Sequence, residues 1–201
     1  MGYGVEIIVV DGMSHDGTGQ IAANAGANVV VEPRRGYGAP LMTGFRCARG
    51  HLIATADGDH TYPLEDLPRL VRILERYQLD FITTDRFSLL NSEAMTARRR
   101  FGNKILTLAT RLLFDVDIQD SQSGMWVFKR EKVQRLLLRS NLAFSQEIKI
   151  EAIHFGKLRW KEVPIRYRVR VGEAKFGRFD TGLKVLVALL LSRVQRSHSK
   201  G

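Results

Sequence analysis

The sequence holds a single cysteine, Cys47, among its 201 residues, so no internal disulfide can form. A reducing compartment is the expectation. Cys47 falls inside a helical pattern, which reads as a structural thiol rather than a nucleophile. No apolar run approaches the ~20 residues needed to cross a bilayer. Met1-Gly2-Tyr3-Gly4 leads directly into a strand-like run, so no signal peptide is expected. No internal repeat, low-complexity tract or Pro/Ser-rich linker divides the chain, and its length suits one domain with a full core. Acidic side chains are the minority, 21 against 31 basic ones, for a net charge of +10. That shortage is local. Residues 1–85 carry 7 Lys+Arg and 11 Asp+Glu, whereas residues 86–201 carry 24 and 10. An acidic half joined to a basic half suits a site that gathers anions around a metal. A basic face can also meet nucleic acid or an anionic membrane. No basic patch interleaved with stacking aromatics is present, which disfavours nucleic acid.

What is present is organised around Leu52-Ile53-Ala54-Thr55-Ala56-Asp57-Gly58-Asp59. The apolar part reads as a buried strand, and it ends in two carboxylates separated by one glycine. Ligands of open α/β sheets collect beyond the carboxyl ends of strands. Carboxylates placed there can share a divalent cation that also holds phosphate oxygens, and Gly58 lets a diphosphate approach the backbone. Asp and Gly are also ordinary turn residues, so an Asp-x-Asp triplet alone leaves a plain turn open. Upstream, Val5–Val10 reads as a buried strand, the turn-rich Asp11–Thr18 follows, then a helix over 20–25 and a strand at Val29–Val31. Arg34-Arg35-Gly36-Tyr37-Gly38 is a basic glycine loop before a helix over 40–49, able to offer N–H groups to phosphate or simply to turn the chain. Downstream, Pro63 and Asp66 start a helix with Leu67, Leu70, Val71 and Leu74 on one face, and Phe81–Thr84 is a strand followed by Asp85-Arg86. This alternation predicts an α/β fold with a doubly wound, mainly parallel, Rossmann-like sheet and helices on both faces.

From Phe87 the pattern changes. A loop covers 87–96, and a Leu-rich helix runs over 98–114 from Arg98-Arg99-Arg100, either a solvated charge run or a docking end for an anion. Asp120–Gly124 is a polar turn running into a strand. A helix over 146–155 and a strand over 158–167 follow, with Pro164 arguing for an edge or bulged position. Arg166, Arg168 and Arg170 alternate along an extended segment. The tail, 183–194, suits a helix lying in a membrane interface, or one packed on the core.

Taken together these stretches resemble nucleotide-sugar glycosyltransferases of the dolichyl-phosphate mannosyltransferase type (family 2, GT-A fold). Five blocks stand in the family's order: Ile7–Thr18, Arg35–Gly38, Asp57–Asp59 with Tyr62-Pro63, Asp120–Gly124, and Arg170–Lys175. The resemblance implies a GT-A domain over 1–179 and an amphipathic helix with a basic tail over 180–201. It implies an inverting transfer of a hexose from a GDP-mannose- or UDP-glucose-type donor to a polyprenyl or dolichyl phosphate. Asp11, Gly36, Asp57, Arg170 and Lys175 would hold the nucleotide-sugar. Asp57 and Asp59 would ligate Mg²⁺ or Mn²⁺. Asp59, Asp120 and Arg86 would serve the reaction, and Arg98, Arg99 and Arg100 the acceptor phosphate. The implied setting is peripheral, on the cytoplasmic face of a membrane reached through the C-terminal helix, with no nucleic-acid partner. Departures are Gly12 for a second Asp, Thr61 for a metal-ligating Gln, Ala174 for Ser, and an opening on what should be the family's second strand. That last departure leaves a truncated, non-catalytic relative as the alternative.

Overall fold

The computed structural model describes residues 2–89, 93–171, 182, 184–190 and 193. The chain runs β1 (Ile8–Asp11), α1 (Thr18–Asn24), β2 (Asn28–Val31), α2 (Gly38–Cys47) and β3 (Leu52–Thr55). A 3-10 turn (Leu64–Asp66) leads into α3 (Leu67–Arg76), then β4 (Phe81–Asp85), α4 (Ala97–Phe114) and β5 (Trp126–Lys129). The short α5 (Arg130–Val133), α6 (Phe144–Ile150) with a π-helical continuation (Glu151–Phe155), and β6 (Trp160–Pro164) complete it.

The expected α/β alternation is there, but the sheet is mixed rather than mainly parallel. Among the described residues the strands form two groups, a parallel β1–β2 pair and a four-stranded sheet in the order β3-β5-β4-β6. β5 runs antiparallel to both neighbours, and β6 runs parallel to β4. A four-residue apolar run looks the same in either direction, so strand polarity could not be read from composition. β6 takes the edge, where the missing N–H of Pro164 breaks no ladder.

Side-chain alternation along the central strands builds two of the three apolar layers. Phe81, Trp126 and Phe128 point to the α2/α6 side, packing with Phe45, Phe144 and Ile148. Ile82, Met125 and Val127 point the other way, against Leu70 and Leu74 of α3 and the ring of Tyr62. Burial of each such side chain contributes about 1.5–3 kcal/mol, which is why β4 and β5 anchor the fold. A third cluster joins Leu106 and Phe114 of α4 to Ile150 of α6 and to Val185 and Leu189 of the helical residues 184–190. The tail helix therefore spends one face on the core, while Val187 and Leu190 stay exposed.

β1 departs from expectation. The strand covers only Ile8–Asp11, every residue of it is half-buried, and Val5 and Ile7 before it are 79% and 59% exposed. Among the described residues β1 has a strand on one side only, so its apolar side chains lack the second neighbour that a central strand would give them. β3 is likewise half-buried, with Ala54 exposed. Helix α2 reaches both groups. A Cβ on Gly44 would lie 3.4 Å from Val10, and Phe45 meets Phe128 edge-on with centroids 5.1 Å apart. Cys47 is free and half-buried at the end of this helix.

Candidate functional site

Asp11 is the last residue of β1, and Asp57, Asp59 and Arg86 lie just beyond the carboxyl ends of β3 and β4. Asp11 closes β1 and accepts from the amide and hydroxyl of Ser14, at 3.1 and 2.6 Å, which folds the following loop back on the strand end.

Asp57 and Asp59 differ in surroundings. Burial first, and then the charge of Asp59, hold the Asp57 carboxyl above the usual carboxylate range. Arg86 and Arg170 oppose that rise, so Asp57 lies within the field of both cations. Tyr37 Oη stands 3.3 Å from Asp57 Oδ1. Asp59 is fully engaged: Arg170 Nη2 donates to Oδ2 at 2.7 Å, and the amide and hydroxyl of Thr61 donate to Oδ1 at 3.1 and 2.5 Å. Thr61 thus orients the carboxylate. The chain from 168 to 171 is laced to this turn, Arg168 N donating to Thr61 O at 2.9 Å and Val171 N to Asp59 O at 3.1 Å. A Cβ on Gly58 would meet nothing within 4 Å, so the triplet borders open space on that side. Arg170 Nε is buried and has no hydrogen-bond partner among the described residues.

The Asp120 loop is held elsewhere. Arg86 and Asp120 are 3% and 0% exposed and form a two-pronged ion pair, Nε–Oδ2 2.6 Å and Nη2–Oδ1 2.9 Å. Arg86 also lies over the Tyr167 ring, 5.2 Å from its centroid. Burial alone would push the Asp120 carboxyl up; the charge and hydrogen bonds of Arg86 more than reverse this and hold it below the ordinary value. Around the pair every loop residue is tied. Lys149 Nζ, on a fully buried side chain, donates to Asp120 O at 2.6 Å, and Glu162 accepts from the amides of Gln119 and Asp120 at 2.6 and 3.0 Å. Ser121 bonds Thr107, Ser123 bonds Thr84, and the Gly124 amide donates to Tyr62 Oη at 2.7 Å. Burial pulls the Lys149 ammonium down to about 8, with Asp120 and Glu162 resisting. The expected reactive pair Asp120/Arg86 therefore stands as a neutralised strut behind Asp57. Nε and Nη2 of Arg86 and both carboxylate oxygens of Asp120 are engaged with each other.

The glycine loop is also spent internally. Gly36 has φ +127, and a Cβ there would strike the Asn141 side chain. The amides of Tyr37 and Gly38 donate to Asn141 O, and that of Ala39 to Asn141 Oδ1 at 2.9 Å. Gly36 thus admits Asn141 in the structure, and the three donors after it are not turned to an anion. Gly124 similarly leaves room for Tyr37 Oη. Arg98 and Arg99 are exposed and Arg100 half-buried at the start of α4, where Thr96 Oγ1 accepts from Arg99 N at 3.3 Å. Lys175 lies outside the described residues. The sequence reading missed Tyr37, Tyr62, Asn141, Lys149 and Glu162. Tyr37 and Tyr62 stood inside recognised blocks. Lys149, flanked by Ile148 and Ile150, was the visible anomaly, a charge in an apolar helix.

A family model for glycosyl transferase family 2 matches residues 1–137. The chain belongs to glycosyl transferase family 2. It is 32% identical over 193 residues to a low-salt glycan biosynthesis hexosyltransferase of Haloferax volcanii, covering 94% of this chain and 46% of that protein. It is 31% identical over 180 residues to the dolichyl-phosphate hexose transferase of the same organism, covering 90% and 77%. The family 2 chain thus spans about half of the first relative and three quarters of the second. Among solved structures, mannosyl-3-phosphoglycerate synthase of Rubrobacter xylanophilus superposes with a TM-score of 0.71 at 19% identity, over 98% of this chain and 64% of that one. Glucosyl-3-phosphoglycerate synthase of Mycobacterium tuberculosis, solved with Mn²⁺ and UDP, gives 0.66 at 22% identity, over 94% and 68%. The shared fold is GT-A.

The donor set fits a divalent cation of the Mg²⁺ or Mn²⁺ kind. Two carboxylates one glycine apart, one of them held high by burial and by the other's charge, gain from a cation between them. Among the described residues no third acidic, His or Cys side chain joins them. The remaining positions would fall to diphosphate oxygens and water, as such ions accept.

Proposed function

We propose that this chain is the GT-A domain of an inverting hexosyltransferase that uses a nucleotide-sugar donor and a polyprenyl or dolichyl phosphate acceptor. The observation that carries the reading is the Asp57-Gly58-Asp59 rim, coupled to Arg170 on one side and backed by Arg86 on the other. In the reaction the bond from the anomeric carbon to the diphosphate oxygen breaks, its electron pair leaving with the nucleoside diphosphate. A bond from the same carbon to the acceptor phosphate oxygen forms on the opposite face. A cation at Asp57 and Asp59 would supply charge for the departing diphosphate. Arg170, with a buried Nε still seeking an acceptor, offers a second donor to the same oxygens. An acceptor phosphate is already ionised near neutral pH, so a strong base is dispensable and alignment of two anions is the main task. Tyr37 and Thr61 fix the carboxylates, and the Arg86–Asp120 strut fixes the floor beneath them. The dolichyl-phosphate hexose transferase among the relatives supports the acceptor class. A lipid acceptor puts the reaction at a membrane surface, which this reading takes to be the cytoplasmic face.

Titration with GDP-mannose and with UDP-glucose, each with and without Mn²⁺, tests the reading. Asp59→Ala is expected to abolish metal-dependent donor binding; unchanged affinity would remove Asp59 from the site. The full engagement of Asp59 by Arg170 and Thr61 favours a second reading, a fold that has closed its metal site with an internal cation. That reading requires no Mn²⁺-dependent binding of either donor in the unmodified chain.

A further inference from the structure

Helix α4 has two apolar faces, and only one is used. Leu106, Thr107, Thr110 and Phe114 are buried against the body of the protein. Phe101, Ile105, Leu108 and Leu112 follow at i, i+4, i+7 and i+11, a single stripe on the opposite side, and are 68%, 45%, 56% and 77% exposed. At 3.6 residues per turn, Lys104 and Arg111, the latter paired with Asp117 at 3.0 Å, fall along one border of this stripe and Arg98 along the other. An apolar centre between basic borders is the pattern of a helix lying in a bilayer interface, its stripe among acyl chains and its cations at anionic headgroups. Lys104, Leu108 and Arg111 also line a cleft of about 350 Å³ that runs in to Asp85 and Phe87, flanking Arg86. The exposed stripe and the route toward the site are thus on one side of the molecule.

We propose that the outer face of α4 docks on an anionic lipid bilayer, placing the cleft at the membrane surface where a lipid phosphate would enter. This moves the principal membrane contact from the tail helix, whose Val185 and Leu189 are buried in the core, to α4. The charge pattern selects this occupant, because a second copy of the chain would bring the same cations against themselves. The inference rests on the lipid-acceptor reading for its purpose but is tested without turnover.

The test is flotation of the full chain with phosphatidylcholine vesicles with and without phosphatidylglycerol, beside a Phe101→Ser/Leu112→Ser variant. Both positions face solvent, so the variant is expected to keep its thermal melt and its donor binding. The expected result is salt-sensitive binding to the anionic vesicles only, weakened about tenfold or more in the variant by the loss of two large apolar side chains from the interface. Binding that the variant retains would overturn the proposal, as would no binding, or a dimer in sedimentation that hides the stripe. Failure here with Mn²⁺-dependent donor binding intact would leave the glycosyltransferase reading standing; loss of donor binding in the unmodified chain would strike that reading instead.

Discussion

Asp120→Asn separates a structural from a chemical role for the buried Arg86–Asp120 pair. The wild-type pair has no water to fall back on, with Arg86 3% and Asp120 0% exposed. Its hydrogen bonds, at 2.6, 2.9 and 3.2 Å, all end on the Asp120 carboxylate. Asparagine removes the countercharge and leaves a buried guanidinium, a change that costs about 3–5 kcal/mol. That is a large part of the ~5–15 kcal/mol that holds a domain together. With an m-value of about 2 kcal/mol/M in urea, the unfolding midpoint should fall by roughly 2 M. The pH dependence has a definite sign. Asp120 is held below its unfolded value, so its contribution is present above pH ~3.9 and is lost as pH falls below it. The variant should therefore show a flatter stability curve through that acid range than the wild type. Replacing both partners, Arg86→Met with Asp120→Leu, should recover part of the loss. The reasoning fails if Asp120→Asn unfolds within about 0.5 kcal/mol of wild type while donor turnover collapses. Asp120 would then be reaching substrate, and the strut would be a resting arrangement.

Two further outcomes follow from close approaches at the rim. Gly124→Ala puts a methyl on Tyr37 Oη, and overpacking of this kind costs about 1–3 kcal/mol in chemical denaturation; in a Tyr37→Phe background most of the cost should vanish, and an equal loss in both backgrounds would mean that the hydroxyl is not the obstacle. Asp57→Asn should raise the melting temperature in metal-free buffer near pH 7, because the folded-state carboxyl is held high and its charged form costs stability once pH exceeds the unfolded value. The gain should fade as pH falls toward that value, and the Mn²⁺- and donor-dependent shift of the wild type should be absent from the variant; a lower melting temperature at neutral pH would contradict the assigned shift.

The α/β alternation was legible because each apolar run is bounded by turn residues and each helix shows a single strong period, as with Leu67, Leu70, Val71 and Leu74 of α3. The direction of β5 was not, since Trp126–Lys129 carries no mark of polarity. α4 was legible as a helix, but its second apolar stripe blends with the first in the sequence. The Asp57/Asp59 rim and its tie to Arg170 lie in recognised blocks. The pairing of Arg86 with Asp120 joins residues 34 positions apart and consumes charges that each look available alone. Asn141 is invisible for the same reason: its partners, Arg35 and Ala39, lie 106 and 102 residues away.

The separation of β1–β2 from the four-stranded sheet gives Asp11 and Asp57 different mechanical foundations. With no ladder between the groups among the described residues, α2 serves as their common splint, through Gly44 on one side and Phe45 on the other. Amides of Ile8–Asp11 should then exchange with solvent well before those of β4 and β5, as a sub-domain that opens by itself. A ligand gripping both Asp11 and Asp57 would weld the halves, so slowed exchange in the first strand pair would register occupancy from far outside the rim.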